Sequence, residues 1–462
     1  MSTLQCLSPV DGSLYVERVL ATESEIRAAL DAAARAQPFW RNTPVADRIA
    51  MIRKAVEIFT EKKEQLGPEL TWMMGRPIRF ASGEILGFAE RALYMAEIAE
   101  SALADIRLPE KEGFERFIRR EPLGISLVIA PWNYPYLTAV NAVVPSLLAG
   151  NVVLLKHSAQ TPLCSERMVE AFTEAGLPTG VFQYLHLSHG NTERLISAAE
   201  VNHVAFTGSV PGGAMVERVA AGRFIQVGLE LGGKDPAYIR KDADLEASVA
   251  SAVDGAFFNS GQSCCGIERL YVHESLFDAV VERAAALVSD YRLGRPDDPQ
   301  TTLGPLVRTA AADFVRGQVD EALSAGARAH IDPVIFPADR PGTPYVAPQL
   351  LTEVNHEMRV MREESFGPVL GVQPVRDDEE AIALMNDSDF GLTAAIYSDD
   401  PEAAKAIGDR LQTGTVFLNR CDYLDPALAW TGVKQSGRGC TLSPVGYEHL
   451  TRPKSFHLKK RP

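Results

Sequence analysis

NVVLLKHSAQTPLCSERMVEAFTEAGLPTGVFQYLH, residues 151–186, holds a whole strand–helix–strand unit in one span. The run NVVLLK is short and apolar, as a strand buried on both faces requires. TPLCSERMVEAFTEAG is helical in pattern. Thr161 can cap it, and Pro162 suits the first helical position, where the amide it lacks has no intrahelical partner. Gly176 suits its end. VFQYLH then reads as a second strand. The same rhythm extends outward, with ISLVIA (125–130) before the unit and HVAFTG (203–208) after it. Strands alternating with helices at this spacing predict a parallel sheet of right-handed βαβ units. Ligands of such sheets bind beyond the carboxyl ends of the strands. Three segments fall there: PWNYP (131–135), KHSA (156–159) and TGSVPGG (207–213).

Further out, the first hundred residues carry amphipathic helical patterns, as in SEIRAALDAAARAQPFW and DRIAMIRKAVEIFTEKKEQL. After residue 230, LFDAVVERAAALVSDYRLG, AAIYS and GTVFLN predict a second α/β domain. DIRLPEKEGFERFIRREP (105–122) is charged and alternating, as an exposed hairpin would be. The tail LTRPKSFHLKK is extended and could form an edge strand against a partner chain. A chain of 462 residues exceeds what one core organises, so two or three domains are expected.

Composition narrows the function. With 46 Lys and Arg against 60 Asp and Glu, the net charge of −14 argues against a broad nucleic-acid or anionic-membrane surface. A small buried anion site stays open. The N-terminus lacks the basic start and apolar core of a signal peptide. TAVNAVVPSLLAGNVVLL (138–155) is interrupted by Asn141, Pro145, Gly150 and Asn151, and reads as a soluble helix followed by a buried strand. Six cysteines without disulfide-scaffold density point to a reducing compartment, with cytoplasm the expected location.

Two of those cysteines are adjacent, in FFNSGQSCCGIERL (257–270). A bridge between neighbours strains the intervening peptide. Neither has a partner at CxxC spacing, and no HExxH occurs, so no metal is expected. A buried structural cysteine is opposed by the surroundings, because Gly261, Ser263 and Gly266 fill a core poorly and let a substrate approach a sulfur. A nucleophilic thiolate fits best.

FFNSGQSC resembles the cysteine signature of the aldehyde dehydrogenase superfamily, whose nucleophile is the second residue after the Gln, here Cys264. LELGGKDP (229–236) resembles its glutamate signature and places the general base at Glu230, 34 residues before Cys264. PWNYP resembles its asparagine motif and nominates Asn133. Lys156, FTGS (206–209), EESFGPV (363–369) and KQSGRG (434–439) follow in family order. The resemblance implies NAD(P)-dependent oxidation of an aldehyde to the acid, through a cysteine thiohemiacetal and a thioester hydrolysed by glutamate-activated water. The oxyanion would meet the Asn133 amide and the Cys264 backbone N–H. Burial beside Leu and two glycines would raise the Glu230 pKa toward the working range.

For the cofactor, the resemblance assigns Trp132, Lys156, Ser158, Gly208, Ser209 and Gly213 to adenosine and phosphates, and Glu364 and Phe366 to the nicotinamide ribose. A helix opening near Ser209 would offer free N–H groups to the pyrophosphate. It also implies a Rossmann-like parallel-sheet NAD(P)-binding domain from 1–104 and 123–229 and an α/β catalytic domain from 230–430. A small β arm from 105–122 and 440–462 would join subunits into a homodimer or homotetramer.

Two departures modify the expectation. Where many NAD-preferring relatives have Lys-Pro-Ser-Glu, this chain reads Lys156-His157-Ser158-Ala159. Ala159 removes a carboxylate that would repel a 2′-phosphate, so NADP should at least be tolerated beside NAD. Where the family often has PFGG, this chain has AWTG (429–432), placing Trp430 at the tunnel mouth. Tyr134, Thr138, Asn141, Phe258, Ser263, Cys265 and Trp430 would line the tunnel. With no arginine clamp evident, a neutral aliphatic or aromatic aldehyde is expected. Two alternatives are a coenzyme A-acylating enzyme, which typically lacks the base, and a retired binding or structural protein, which would lose Cys264, Glu230 or Asn133 first.

Overall fold

A computed structural model describes residues 2–461. The 151–186 unit forms strand Val152–His157, helix Pro162–Glu174 and strand Phe182–Tyr184. Pro162 occupies the first turn, and Gly176 follows the helix at φ +98°. Thr161 precedes the helix but makes no side-chain cap. Its φ/ψ of −129°/54° departs from the extended geometry that lets a cap reach back, and its hydroxyl is buried without a partner.

The first sheet has six strands, in the order Gly437–Arg438, Gln226–Glu230, Val201–Thr207, Ile125–Ala130, Val152–His157, Phe182–Tyr184. All neighbours are parallel except the first pair. The central strand Ile125–Ala130 is buried along its whole length, which is why its sequence is apolar without alternation. From it the chain steps outward to Phe182–Tyr184 and then returns to its other side with Val201–Thr207. Strand order therefore reverses between Ile125–Ala130 and Val201–Thr207, with Pro131–Asn133 and Gly208–Ser209 at their carboxyl ends.

Four helices, Glu23–Asn42, Val45–Glu61, Lys63–Met74 and Ile78–Leu103, fill most of the first hundred residues. A hairpin of Thr3–Leu7 and Leu14–Val19 precedes them. Its residues mostly face solvent, so hydrophobic periodicity did not reveal it. Helix Pro135–Leu148 is buried almost throughout and runs from the Asn133 turn into the core, which accounts for the apolar run at 138–155. Among the described residues no helix is long and apolar enough to cross a membrane.

The second sheet has seven strands, ordered Arg328–Ala329, Gln349–Thr352, Val369–Val375, Ile267–His273, Asp235–Ile239, Thr393–Tyr397, Thr415–Leu418. Only the Arg328–Ala329 edge is antiparallel. Residues 231–234 carry the chain from the carboxyl end of Gln226–Glu230 straight to the amino end of Asp235–Ile239. Cys264 and Phe366 likewise lie just before Ile267–His273 and Val369–Val375. The site thus lies where the carboxyl ends of one sheet meet the amino ends of the other.

A third, antiparallel sheet joins Ile106–Arg107, Phe114–Pro122 and Thr451–Lys459. Phe117 and Phe456 stack across it at 4.5 Å. The preceding helix, Ser443–Glu448, packs instead into the first core, where the Tyr447 hydroxyl donates to the Met95 carbonyl at 2.6 Å.

Candidate active site

Three consecutive residues before the cysteines, Asn259, Ser260 and Gly261, take left-handed φ values of 54°, 58° and 71°. Such a run strains the non-glycine residues, and the surroundings hold it in place. A side chain on Gly261 would collide with the Gly367 carbonyl. Ser260 donates to Gly304 O at 2.8 Å, and the Gln262 side chain spans from Asn259 O (3.1 Å) to Val307 N (2.8 Å). The turn leaves Cys264 half-buried and Cys265 buried, both as free thiols.

The two sulfurs differ in chemistry. Cys265 donates to Asp422 Oδ1 at 2.9 Å, and Ser263 Oγ donates to the same oxygen at 3.1 Å. The Cys264 thiol beside it, burial and the Asp422 carboxylate push the Cys265 thiol well above its ordinary pKa. Cys265 is therefore held protonated.

Glu230 ends its strand facing the same cavity. Thr441 donates to Oε1 at 2.6 Å and Thr207 to Oε2 at 3.1 Å. Burial raises its pKa, while the two hydroxyls pull the other way. The glycines that follow are required by close approach. A side chain on Gly232 would strike the Glu364 carboxylate, and one on Gly233 would strike the Cys264 carbonyl. The LELGGK segment thereby brings Glu230, Glu364 and the cysteine turn together.

Asn133 is buried, with Nδ2 donating to Gln262 O at 3.2 Å. Its backbone carbonyl accepts from Arg76 Nη2 at 2.7 Å, and Arg76 is ion-paired with Glu84. Glu84 accepts the Tyr136 amide at 2.7 Å. This buried pair props the PWNYP turn from behind. The sequence does not mark it, because Arg76 sits in the short turn between Lys63–Met74 and Ile78–Leu103 and Glu84 on the second of these helices, where charges normally face solvent.

Near the reversal crevice, Lys156 is the penultimate residue of Val152–His157 and Ser158 comes just after it, Gly208 and Ser209 follow Val201–Thr207, and Ala159 is exposed. Ser209 caps helix Val210–Ala220 by accepting from Gly212 N at 3.3 Å. Gly213 is buried, and a side chain there would strike Leu231, so its glycine serves helix–strand contact. Trp132 meets Phe366 edge-on at 5.6 Å. Glu364 accepts from Gly233 N at 3.0 Å, and burial with Glu268 nearby raises its pKa to about 8. Phe366 has φ 51°, and its loop is pinned by Glu268, which accepts the Ser365 and Phe366 amides and pairs with buried Lys234. Among the described residues no carboxylate pairs with Lys156. An unpaired lysine beside a capped helix N-terminus fits a phosphate-bearing dinucleotide.

One cleft holds Cys264 and Glu230 together with Tyr134, Thr138, Asn141, Phe258, Ser263, Cys265 and Trp430. Four charged residues not singled out in the sequence share its wall: Glu90, Arg91, Asp254 and Asp422. No arginine clamp is evident in the sequence, yet the structure places Arg91 in the cleft wall. It is buried under the helix Pro135–Leu148, donating to Leu137 O at 2.6 Å and Asn141 Oδ1 at 3.3 Å.

Residues 1–456 match the model of the aldehyde dehydrogenase family. The chain is 36% identical to an NADP(+) succinate-semialdehyde dehydrogenase of Deinococcus radiodurans, covering 99% of this chain and 95% of that protein. It is 34% identical to the NAD(P)+ succinate semialdehyde dehydrogenase Sad of Escherichia coli, over 95% and 94%. The structure of succinic semialdehyde dehydrogenase from Streptococcus pyogenes in complex with NADP+ superposes with a TM-score of 0.94 at 28% identity, covering 99% of this chain and 100% of that one.

Proposed function

This chain belongs to the aldehyde dehydrogenase family, and we propose that Cys264, Glu230 and Asn133 carry its NAD(P)-dependent oxidation of a small aldehyde to the carboxylic acid. The observation that carries the assignment is the cleft shared by a half-buried Cys264 and a half-buried, doubly hydrogen-bonded Glu230, with the neighbouring thiol held protonated.

Cys264 Sγ attacks the aldehyde carbon, giving a thiohemiacetal whose oxyanion meets Asn133 Nδ2 and the Cys264 N–H. One such donor typically lowers the barrier by about 3 kcal/mol. Bound NAD(P) supplies the hydride acceptor. Trp132, Lys156, Ser158, Gly208 and Ser209 would hold its adenosine and phosphate end, and Glu364 and Phe366 its nicotinamide ribose. Glu230 then takes a proton from water as it attacks the thioester, releasing the acid and the Cys264 thiolate. The presence of this base favours hydrolysis over acyl transfer to coenzyme A. The third sheet, with Thr451–Lys459 at its edge, is the proposed contact between subunits of a homodimer or homotetramer. The six free thiols support a reducing compartment, the cytoplasm being the proposed location.

The test is absorbance at 340 nm with butanal and either cofactor, without coenzyme A. Sustained turnover is expected; turnover only after coenzyme A is added would overturn the hydrolytic reading. NADP should be accepted, because no carboxylate stands at Ala159. Ala159→Glu is expected to raise the KM for NADP relative to NAD on the order of tenfold, through like-charge repulsion with the 2′-phosphate. An unchanged ratio would place the 2′-phosphate elsewhere.

A further inference from the structure

Helix Pro135–Leu148 brings Thr138 and Asn141, one turn apart, to the wall of the substrate cleft. Thr138 is already engaged, its hydroxyl donating to the Tyr134 carbonyl at 2.8 Å. Asn141 is only half engaged. It is 1% exposed, and its Oδ1 accepts from Arg91 Nη1 at 3.3 Å. That contact fixes the amide, because the reversed orientation would set two donors face to face. Nδ2 is thereby left a buried donor with no acceptor among the described residues. Buried donors in folded proteins almost always have a partner, and one left bare is costly. The missing partner is an acceptor, and Asn141 lines the space a substrate enters.

The same wall offers a free acceptor. Asp422 takes both of its protein donors, the Cys265 thiol and the Ser263 hydroxyl, on Oδ1, and Oδ2 receives none among the described residues. A left-handed backbone (φ 47°) holds this carboxylate beside the nucleophilic turn. Arg91, its Nη1 committed to Leu137 O and Asn141 Oδ1, acts on Asp422 and Glu90 through space. An alkyl tail on the substrate would leave Nδ2 and Oδ2 both unanswered. An ammonium group would suit Oδ2 but bring further donors to Nδ2. A carboxylate would suit Nδ2 but meet Asp422, Glu90 and Asp254 as like charges. A hydroxylated chain answers both, accepting from Nδ2 and donating to Oδ2, with no charge to desolvate.

We propose that this cleft selects hydroxylated aldehydes, short chains with one or more uncharged hydroxyl groups beyond the carbonyl, through Asn141 Nδ2 as donor and Asp422 Oδ2 as acceptor. The inference rests on the dehydrogenase reading above and deepens it.

The test compares kcat/KM, referred to the unhydrated aldehyde, for butanal, 3-hydroxybutanal, 2,3-dihydroxybutanal and succinate semialdehyde at pH 8 under saturating cofactor. Burial lifts the Asp422 pKa to about 6, so its carboxylate is ionised there and able to accept. The better hydroxylated aldehyde is expected to exceed butanal by about tenfold or more, because a site built around a hydroxyl leaves its own groups unpaired when the hydroxyl is missing. Succinate semialdehyde should fall below it. Asn141→Leu removes the donor, and Asp422→Asn replaces the free carboxylate with an amide. Each should lower the hydroxyl-to-butanal ratio by roughly fivefold or more. Taking the ratio cancels the intrinsic reactivity of each aldehyde and any general damage near Cys265 or Arg91. Hydroxylated aldehydes no better than butanal would overturn the proposal, a comparison that needs only the parent protein. A ratio unmoved in either variant would overturn it as well. So would succinate semialdehyde outrunning both hydroxylated aldehydes, which would make Asn141 and Arg91 a carboxylate site. Turnover of butanal keeps the dehydrogenase reading in each of those cases, whereas no turnover of any aldehyde defeats both.

Discussion

Cys264→Ala is expected to reduce NAD(P)H formation by about 10⁴-fold or more, while Cys265→Ala retains activity within about tenfold. The two side chains have the same intrinsic chemistry, so the difference comes from their surroundings. Cys264 is half-exposed to the cleft. Cys265 is buried against Asp422, an acceptor that favours the neutral thiol and disfavours the thiolate. Removing the Cys265 sulfur leaves a small cavity and one lost donor to Asp422, an effect on packing and not on bond formation. Trapping the thiol with iodoacetamide should follow the same order, Cys264 first. If Cys265→Ala abolished turnover and Cys264→Ala did not, the nucleophile would have been assigned one residue too early.

The contrast between these neighbours was only half legible in the sequence. FFNSGQSCC resembled a nucleophile signature, but nothing in the run reveals that Asp422, 157 residues after Cys265, accepts the second thiol. The parallel strands of the first sheet were readable because burial on both faces leaves continuous apolar runs. The hairpin at Thr3–Leu7 and Leu14–Val19 was not, because a mostly solvated strand pair carries no such pattern. The same logic separates the site residues. Glu230 and Asn133 stand in short glycine- or proline-marked turns whose local constraints appear in the sequence. Arg76, Glu84, Thr207, Thr441 and Arg91 act through partners brought close by tertiary packing, and each looks ordinary among its sequence neighbours. Asp422 is the extreme case: an aspartate in a loop, the usual mark of a turn, that folding carries to the substrate wall.

Glu230→Gln should separate the two halves of the reaction. Cys264 and Asn133 remain, so the first turnover is expected to release about one NAD(P)H per active site as a burst. Steady turnover should then fall by about 10²- to 10⁴-fold, because the thioester waits for water without a base. Loss of the burst together with steady turnover would instead tie Glu230 to the first half. Glu230 works as a base only when ionised, and burial raises its pKa above the ordinary 4.5. The hydrolytic rate should therefore rise with pH as Glu230 deprotonates, and Glu230→Gln should lose that limb. Stability runs the opposite way. A folded pKa above the unfolded one means that the native state favours the protonated carboxyl. This contribution is present in full below the unfolded pKa and is lost as pH rises through the folded pKa. At neutral pH the ionised carboxylate is the form that burial disfavours, only partly offset by Thr441 and Thr207. A glutamine can accept from one threonine and donate to the other without carrying charge. Glu230→Gln is therefore expected to melt at the parent temperature or above it. A lower melting temperature would mean that the fold depends on the carboxylate, and the kinetic loss could not then be assigned to the missing base.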